Sequence, residues 1–527
     1  MIGRVYLVGA GPGDPGLLTR RGERCLAAAD VIVHDYLVGR RLLELVRPEA
    51  EVIALGGGHE GEGRLAQADI EALLVARARA GKTVVRLKNG DPFLFGRGAE
   101  EAEALGRAGI PFEIVPGVSS ALAVPAYAGI PLTHRDHASL VTIVTGHQAR
   151  CGTGTAPPDL PWEALARQGG TLVFLMGMRQ LPGIMSALVA HGLPGGTPAA
   201  VVQSGTSGRQ ATVVATAATL AARAVDAGLG PPGVVVVGSV VTARERVRWF
   251  EERPLFGRRI VVTRPRAQAG ALADVLEQQG AEVIPFPTIA IVPPPDPAPL
   301  ERAVAAAGGY DWIVFTSANG VQAFFERFAA QERDVRELAP VKLAAIGPET
   351  AAQLGRRLLR AAVVAGEYRA EGLLAALGAE DVRGRRILLP RAAGARAILP
   401  EELRRRGAEV DEVIAYRAVP PPGADVAALA SALEAGGVDA LTFTSSSTVR
   451  NFVEILGQPA VASIGRDGGP AVACIGPVTA ETARELGLRV DVMPSAYTIP
   501  ALAAALGDHF AGARTPERGA RQRSRRK

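Results

Sequence analysis

Short apolar runs, each bounded by glycine, proline or charge, alternate along the first half of the chain with longer stretches rich in alanine, leucine and arginine. The runs at 5–8, 31–34, 84–87, 140–145, 171–176 and 234–237 read as buried strands, and the stretches between them read as amphipathic helices. That alternation predicts an α/β fold. A charged run at 244–253 precedes Pro254 and Gly257, after which a fresh strand begins at 260. The reading is a domain over 1–250, a linker over 251–257 and a second domain over 258–510.

The second half repeats itself. Arg258-Arg259-Ile260 returns as Arg385-Arg386-Ile387, and Gly280-Ala281-Glu282-Val283 as Gly407-Ala408-Glu409-Val410, both at a shift of 127. Val292 and Val419, 127 apart, are each followed by three prolines, which cannot donate to a sheet ladder and therefore end a strand. Phe315-Thr316-Ser317 matches Phe443-Thr444-Ser445 at 128, Gly347-Pro348-Glu349-Thr350 matches Gly476-Pro477-Val478-Thr479 at 129, and Tyr368 matches Tyr497. A duplicated α/β unit of this length predicts two similar lobes facing a cleft, not a solenoid. Ser317, Thr350, Ser445 and Thr479 sit where a strand gives way to a helix. There a hydroxyl can cap the helix or hold an anion.

Composition changes this picture little. Hydrophobic residues make up 48% and charged residues 21% of 527 positions, an ordinary soluble mixture. No stretch reads as a membrane span or a signal peptide, which leads to the expectation of a cytoplasmic protein with no membrane partner. The net charge of +5 is local: residues 511–527 hold seven basic side chains and one acidic one, leaving the remainder at −1. This end reads as a disordered solvated tail, and no nucleic-acid partner is expected. Cys25, Cys151 and Cys474 are too scattered for a disulfide framework, and His134-x-x-His137 and His147-x-x-x-Cys151 lack a third ligand, so no metal is expected.

The first strand runs into Gly9-Ala10-Gly11-Pro12-Gly13-Asp14-Pro15-Gly16, a loop built to hold a ligand. Gly11 to Gly16 satisfies the dinucleotide fingerprint G-x-G-x-x-G, with Asp35 at the spacing of a ribose-binding acid. The prolines argue against that reading. A pyrophosphate cradle needs backbone N–H donors, Pro12 and Pro15 remove two of them, and Asp14 adds a negative charge. An adenosine carrying a sulfonium suits the loop better.

Further motifs follow in order: Arg86-Leu87-Lys88-Asn89-Gly90-Asp91-Pro92-Phe93-Leu94-Phe95-Gly96-Arg97-Gly98, Pro116-Gly117-Val118-Ser119-Ser120, Gly129-Ile130-Pro131-Leu132-Thr133-His134-Arg135, Thr145-Gly146-His147 and Phe174-Leu175-Met176-Gly177. Over residues 2–245 the chain thereby resembles the uroporphyrinogen-III C-methyltransferase family, which implies the two-subdomain tetrapyrrole methyltransferase fold, S-adenosylmethionine as methyl donor and a homodimer formed through this half. The resemblance implies a cofactor site at Pro12, Asn89, Gly90, Asp91, Leu94, Ser119, Ser120, Met176 and Gly205. Met176 also reads as a plain core residue. Asp35 matches the family's candidate proton acceptor, with a helix cap as the bland alternative. Family members commonly carry a lysine where this chain has Gly57, leaving His59, Arg64 or solvent as substitutes, and Asn89 replaces the usual glycine. Arg97, Arg135 and Arg179 are candidates for binding the substrate's carboxylates, because a guanidinium pairs with them bidentately.

Residues 258–506 resemble uroporphyrinogen-III synthase, a two-lobed α/β enzyme that closes hydroxymethylbilane while inverting its last ring. The match rests on the Phe-Thr-Ser and Ile-Gly-Pro elements, on Val413-Ile414-Ala415-Tyr416-Arg417 and on the duplication. It implies lobe one over 258–292 and 420–510, lobe two over 293–419, and crossings at the two proline-stopped strands. Tyr416 is the candidate for hydrogen-bonding the departing hydroxyl, with Ser317, Thr350, Ser445 and Thr479 holding carboxylate side chains. The small-molecule partners implied are hydroxymethylbilane and uroporphyrinogen III. Two alternatives stay open: a methyltransferase acting on a later corrinoid intermediate, and a C-terminal half that binds without catalysing.

Overall fold

The computed structural model describes residues 2–512 apart from 48, 57–64, 148–158, 265, 367–369, 420–425 and 467. In the first half, β1 (Arg4–Gly9), β2 (Val31–His34), β3 (Glu51–Ala54), β4 (Thr83–Lys88) and β5 (Phe112–Val115) form one sheet in the order β3-β2-β4-β1-β5. All its neighbours run parallel. Parallel strands need helical crossovers that cover the sheet, and β1, β2 and β4 are accordingly almost wholly buried. A second sheet, β6 (Val141–Thr145), β7 (Thr171–Leu175), β8 (Pro198–Gln203), β9 (Ala211–Thr216) and β10 (Gly233–Val237), has the order β6-β7-β10-β8-β9. Only its β6–β7 pair is parallel. The two sheets define two subdomains.

The second half contributes β11 (Arg259–Val262), β12 (Glu282–Pro285), β13 (Ala290–Val292), β14 (Trp312–Phe315), β15 (Lys342–Ala345), β16 (Val363–Val364), β17 (Arg386–Ala392), β18 (Glu409–Val419), β19 (Ala440–Phe443) and β20 (Ala471–Cys474). They divide into two sheets, β12-β11-β19-β20 and β13-β18-β17-β14-β15-β16. The sequence repeat maps β11 onto β17, β12 onto β18, β14 onto β19 and β15 onto β20. The four strands common to the lobes therefore come two from either copy, in the equivalent orders β12-β11-β19-β20 and β18-β17-β14-β15, and lobe two adds β13 and β16 at its edges. The chain crosses between lobes because β13 pairs antiparallel with the end of β18, Ala290 opposite Val419 and Val292 opposite Arg417. This pairing moves the start of lobe two to Ala290, ahead of the expected 293.

The segment after residue 250 is packed, not a free tether. Leu255 is fully buried in the core of lobe one with Leu272, Leu276 and Leu502, and its N–H donates to the Gln279 carbonyl at 2.9 Å. The two halves meet across named contacts. Arg41 bonds Glu44 at 2.7 Å within its own half, and across the boundary it reaches Glu277 at 3.2 Å and Asp274, both on the helix Arg266–Gln278. Arg209 pairs with Glu282 at 3.1 Å, and Gly208 lies so close to lobe one that an added Cβ would stand 2.4 Å from the Glu282 nitrogen.

Burial pushes the Glu277 carboxyl up to about 7, against the opposing pull of Arg41, with Asp274 and Asp14 reinforcing the rise. Arg41 cannot reverse the shift because it is shared among several carboxylates. An acid raised on folding takes up a proton between its unfolded and folded values, so stability falls as pH rises from about 4.5 to about 7 and is flat above that. Glu277→Gln should remove this slope, worth on the order of 2 kcal/mol after solvent screening. Urea unfolding of the full chain between pH 5 and pH 8 checks it.

Candidate active sites

In the first subdomain the carboxyl ends of β1, β4 and β5 bring three loops together, the edge at which open α/β sheets bind ligands. They meet backbone to backbone. Gly11 and Gly90 form an antiparallel bridge, N–H to carbonyl at 3.2 and 2.8 Å. A Cβ on Gly9 would lie 2.5 Å from the Gly117 Cα, and one on Gly117 would lie 2.3 Å from the Gly90 carbonyl oxygen. Only glycine allows this approach, and it joins the opening loop, the Asn89-Gly90-Asp91 turn and the Pro116–Ser120 segment into one wall.

The side chains on this wall mostly hold loops. Asp91 accepts from Gly117 N–H at 3.0 Å and from Phe93 N–H at 2.8 Å. Ser119, buried, caps the helix Ser120–Tyr127 by accepting from Ala121 N–H at 3.2 Å. Asp14 does not face a ligand as a free charge. Its carboxylate accepts from Gly16 N–H at 2.7 Å and from the Tyr127 hydroxyl at 2.6 Å, while its own N–H donates to Thr206 Oγ1 at 3.2 Å. It clasps the two subdomains, and burial together with Asp14 raises the Tyr127 hydroxyl well above its ordinary value.

The second subdomain closes the other side. Met176 leaves β7 with φ +56° and a side chain 49% exposed, which removes the plain-core reading. Gly205 packs against the same helix as Ser119, since a Cβ there would meet Val124 at 2.4 Å. Phe95, Arg97, Met176, Ser204 and Thr206 all have positive φ without being glycine, five of the seven such described residues. Backbone strain of this kind persists where surrounding structure enforces it, and it clusters at ligand sites.

Asp35 follows β2 directly. Its Oδ1 accepts from Arg86 Nη2 at 2.5 Å and its Oδ2 from the Asn89 N–H at 3.3 Å, with the side chain 29% exposed. Behind it lies a buried network unforeseen from the sequence. Arg86 Nε donates to Glu101 Oε1 at 3.1 Å and Lys88 Nζ to the same oxygen at 3.0 Å, all three groups being essentially inaccessible. Two cations face two carboxylates, so the burial is electrostatically balanced. Burial lowers the Lys88 ammonium from its ordinary value, Arg86 adds to the drop and Glu101 opposes it. Their signal was in the sequence: Arg86 and Lys88 alternate with apolar residues on one strand and share a face. Gly57, His59 and Arg64 lie outside the described residues. Leu94 is half-buried against the second subdomain's core. Arg97 pairs with Glu100 at 2.5 Å on the surface, and Arg135 and Arg179 are exposed.

In the second half Tyr416, buried on β18, places its hydroxyl 3.0 Å from Ser317 Oγ. Ser317 also caps the helix Ala318–Ala330, accepting from Gly320 N–H at 2.9 Å. Ser445 caps the helix Ser446–Ile464 in a reciprocal box with Thr448. Thr350 and Thr479 are buried in the first turns of the helices Pro348–Gly355 and Pro477–Glu485. The sequence reading missed Arg264, which follows β11 and lines the cavity together with Tyr416 and Asn319. Burial lowers its guanidinium from the ordinary value, and Glu349 of the facing lobe opposes the drop. Among the described residues no group of three or more His, Cys, Asp or Glu could hold a metal ion, and no helix is long and apolar enough to cross a membrane.

Fold and sites define two α/β modules in one chain, one with a glycine-built wall beside the junction of two subdomains and one with a cleft between duplicated lobes. A family model described as tetrapyrrole (corrin/porphyrin) methylases matches residues 4–221, and one described as uroporphyrinogen-III synthase HemD matches residues 270–504. The chain is 37% identical over 491 residues to a porphyrin biosynthesis protein HemD of Ruminiclostridium josui, across 92% of this chain and 94% of that protein. It is 41% identical over 355 residues to a uroporphyrinogen-III C-methyltransferase of Bacillus subtilis (strain 168), across 67% of this chain and 72% of that protein. A Thermus thermophilus uroporphyrin-III C-methyltransferase solved with S-adenosyl homocysteine matches with TM-score 0.39 and 39% identity, across 46% of this chain and 99% of that one. The chain belongs to the family in which a tetrapyrrole methylase is fused to a uroporphyrinogen-III synthase.

The glycine wall makes a direct prediction. Gly117→Ala should destabilise the first half by roughly 1–3 kcal/mol, because the methyl group meets backbone that cannot step aside. Gly196→Ala, with nothing within 4 Å of the added carbon, should change stability by less than about 0.5 kcal/mol. Thermal unfolding of the two variants provides the comparison.

Proposed function

We propose that the C-terminal half cyclises hydroxymethylbilane to uroporphyrinogen III with inversion of the last ring, and that the N-terminal half methylates this product twice to precorrin-2. The observation that carries the reading is the presence of both family signatures on one chain, one activity making the substrate of the other. S-adenosylmethionine, when bound, supplies an electrophilic methyl group on a sulfonium.

The chain's residues supply position and proton handling. The wall of Gly11, Gly90 and Gly117 lets backbone lie close to the adenosyl ligand, and Pro12, Leu94, Ser120, Gly205 and Met176 line the same opening. The prolines suit a ligand edge without phosphate. Asp35 takes the proton released when a pyrrole carbon gains its methyl group, and Arg86 fixes the carboxylate's direction. Arg97, Arg135 and Arg179 meet the substrate's carboxylates. In the second half the Tyr416 hydroxyl, oriented by Ser317, hydrogen-bonds the hydroxyl that leaves the bilane, after which the substituted carbon of the last ring closes on the electrophile.

Incubating the full chain with hydroxymethylbilane and S-adenosylmethionine should yield precorrin-2 by absorbance and mass. Formation of only the non-inverted, spontaneously closed isomer would remove the synthase assignment. Methylation of precorrins but not of uroporphyrinogen III would reassign the first half to a later corrinoid step. Asp35→Asn should retain S-adenosylhomocysteine affinity within about threefold and lose at least about a hundredfold in kcat. Unchanged turnover would remove Asp35 from the chemistry.

A further inference from the structure

The two halves do not merely touch. Between them lies one cavity of about 1520 Å³ with walls from both. Single ligand pockets are typically about 300–1,000 Å³, so this space exceeds what one drug-sized molecule needs. On the N-terminal side it is walled by Gly13 and Asp14 of the opening loop and by Leu37 and Gly39, just beyond Asp35. On the C-terminal side it reaches Tyr416 and Arg264. The cavity thus runs from side chains of the C-terminal cleft to residues flanking the N-terminal site, Gly13 beside Pro12, Thr206 beside Gly205 and Leu37 beyond Asp35.

Three features make this arrangement specific. The connection between the halves is buried at Leu255, which keeps them from drifting apart on a loose tether. Arg41 and Arg209 each bridge the boundary on opposite-charge partners, and Gly208 provides a contact too close for any side chain. The charges lining the cavity are also matched, five arginines against five acidic residues. A strongly cationic wall would hold a polycarboxylate, and a strongly anionic one would repel it. A matched wall does neither, which suits transit better than storage.

We propose that this cavity is a partly sheltered passage through which the cyclic polycarboxylate tetrapyrrole made in the C-terminal cleft reaches the N-terminal site ahead of exchange with bulk solvent. The inference rests on the functional reading above and adds to it the route between the two reactions. Release of the intermediate between the docked halves raises its effective concentration at the second site, so transfer outpaces uptake of external competitor.

Isotope dilution tests the passage. The full chain is given labelled hydroxymethylbilane, S-adenosylmethionine and roughly a tenfold excess of unlabelled uroporphyrinogen III, and the label in dimethylated product is measured. The passage predicts dilution of less than about twofold in early product, whereas free exchange gives dilution approaching about tenfold. Arg41→Glu and a Gly208→Phe wedge should each bring dilution to the free-exchange value, while each half reaction assayed alone stays within about twofold of the parent. Full dilution by the unaltered chain with both half reactions intact overturns the passage alone. Undiluted transfer by both interface variants overturns the claim that docking creates it. Failure of either half reaction in the unaltered chain overturns the functional reading, and the passage falls with it.

Discussion

The backbone contact among Gly9, Gly90 and Gly117 governs the first half of this molecule. Three loops leave adjacent parallel strands and converge with no side chain between them, the added-atom distances being 2.3 to 2.7 Å at the tightest points. Everything proposed for the site depends on it. The Gly11–Gly90 bridge, the Asp91 bonds to Gly117 and Phe93, and the Ser119 cap each take their geometry from that convergence. Charge then enters in a balanced form: Asp35 is aimed by Arg86, which is itself held by Glu101 together with Lys88. Removing one member of such a buried set leaves an uncompensated charge, which costs more than the pairing gains.

The second half solves a different problem, two lobes from a duplicated sequence. Because β13 returns to pair with β18, neither copy of the repeat closes on itself, and each lobe's sheet is completed by strands from the other copy. The lobes are tied together by covalent exchange, which leaves the cleft free to carry side chains such as Tyr416 and Arg264. The same economy holds the halves together. A few specific contacts around Arg41, Gly208 and Arg209 fix the docking while leaving a large cavity unfilled.

Much of this was legible in the sequence, for local reasons. Strand positions follow from apolar runs between breakers, and the opening loop's departure from a phosphate cradle follows from Pro12 and Pro15, which delete donors whatever the tertiary structure. The resemblance to a two-lobed synthase implied crossings at the proline-stopped strands that end at Val292 and Val419. What escaped depended on partners far apart in sequence. Asp14 reads as a free charge beside a ligand until Tyr127 and Thr206 are brought to it. Arg86 and Lys88 announce a buried charge pair on their strand, but only the fold supplies Glu101. Met176 was ambiguous between core and site because hydrophobicity does not record exposure, and only the fold, which leaves it 49% exposed, removes the plain-core reading. Ser317 and Ser445 read as able to cap a helix or hold an anion at a strand-to-helix junction, and the fold shows both capping.

A wall of three loops from the first subdomain, closed on its other side by the second, and not one nucleotide fingerprint, is proposed to hold the adenosyl ligand. Amide hydrogen exchange on the full chain with and without S-adenosylhomocysteine tests it most directly. Slowed exchange is expected together at residues 9–16, 89–94, 117–120, 175–177 and 204–206, with the rest of the first half little changed. Protection confined to residues 9–16, or absent from all five segments while the ligand binds, would contradict it.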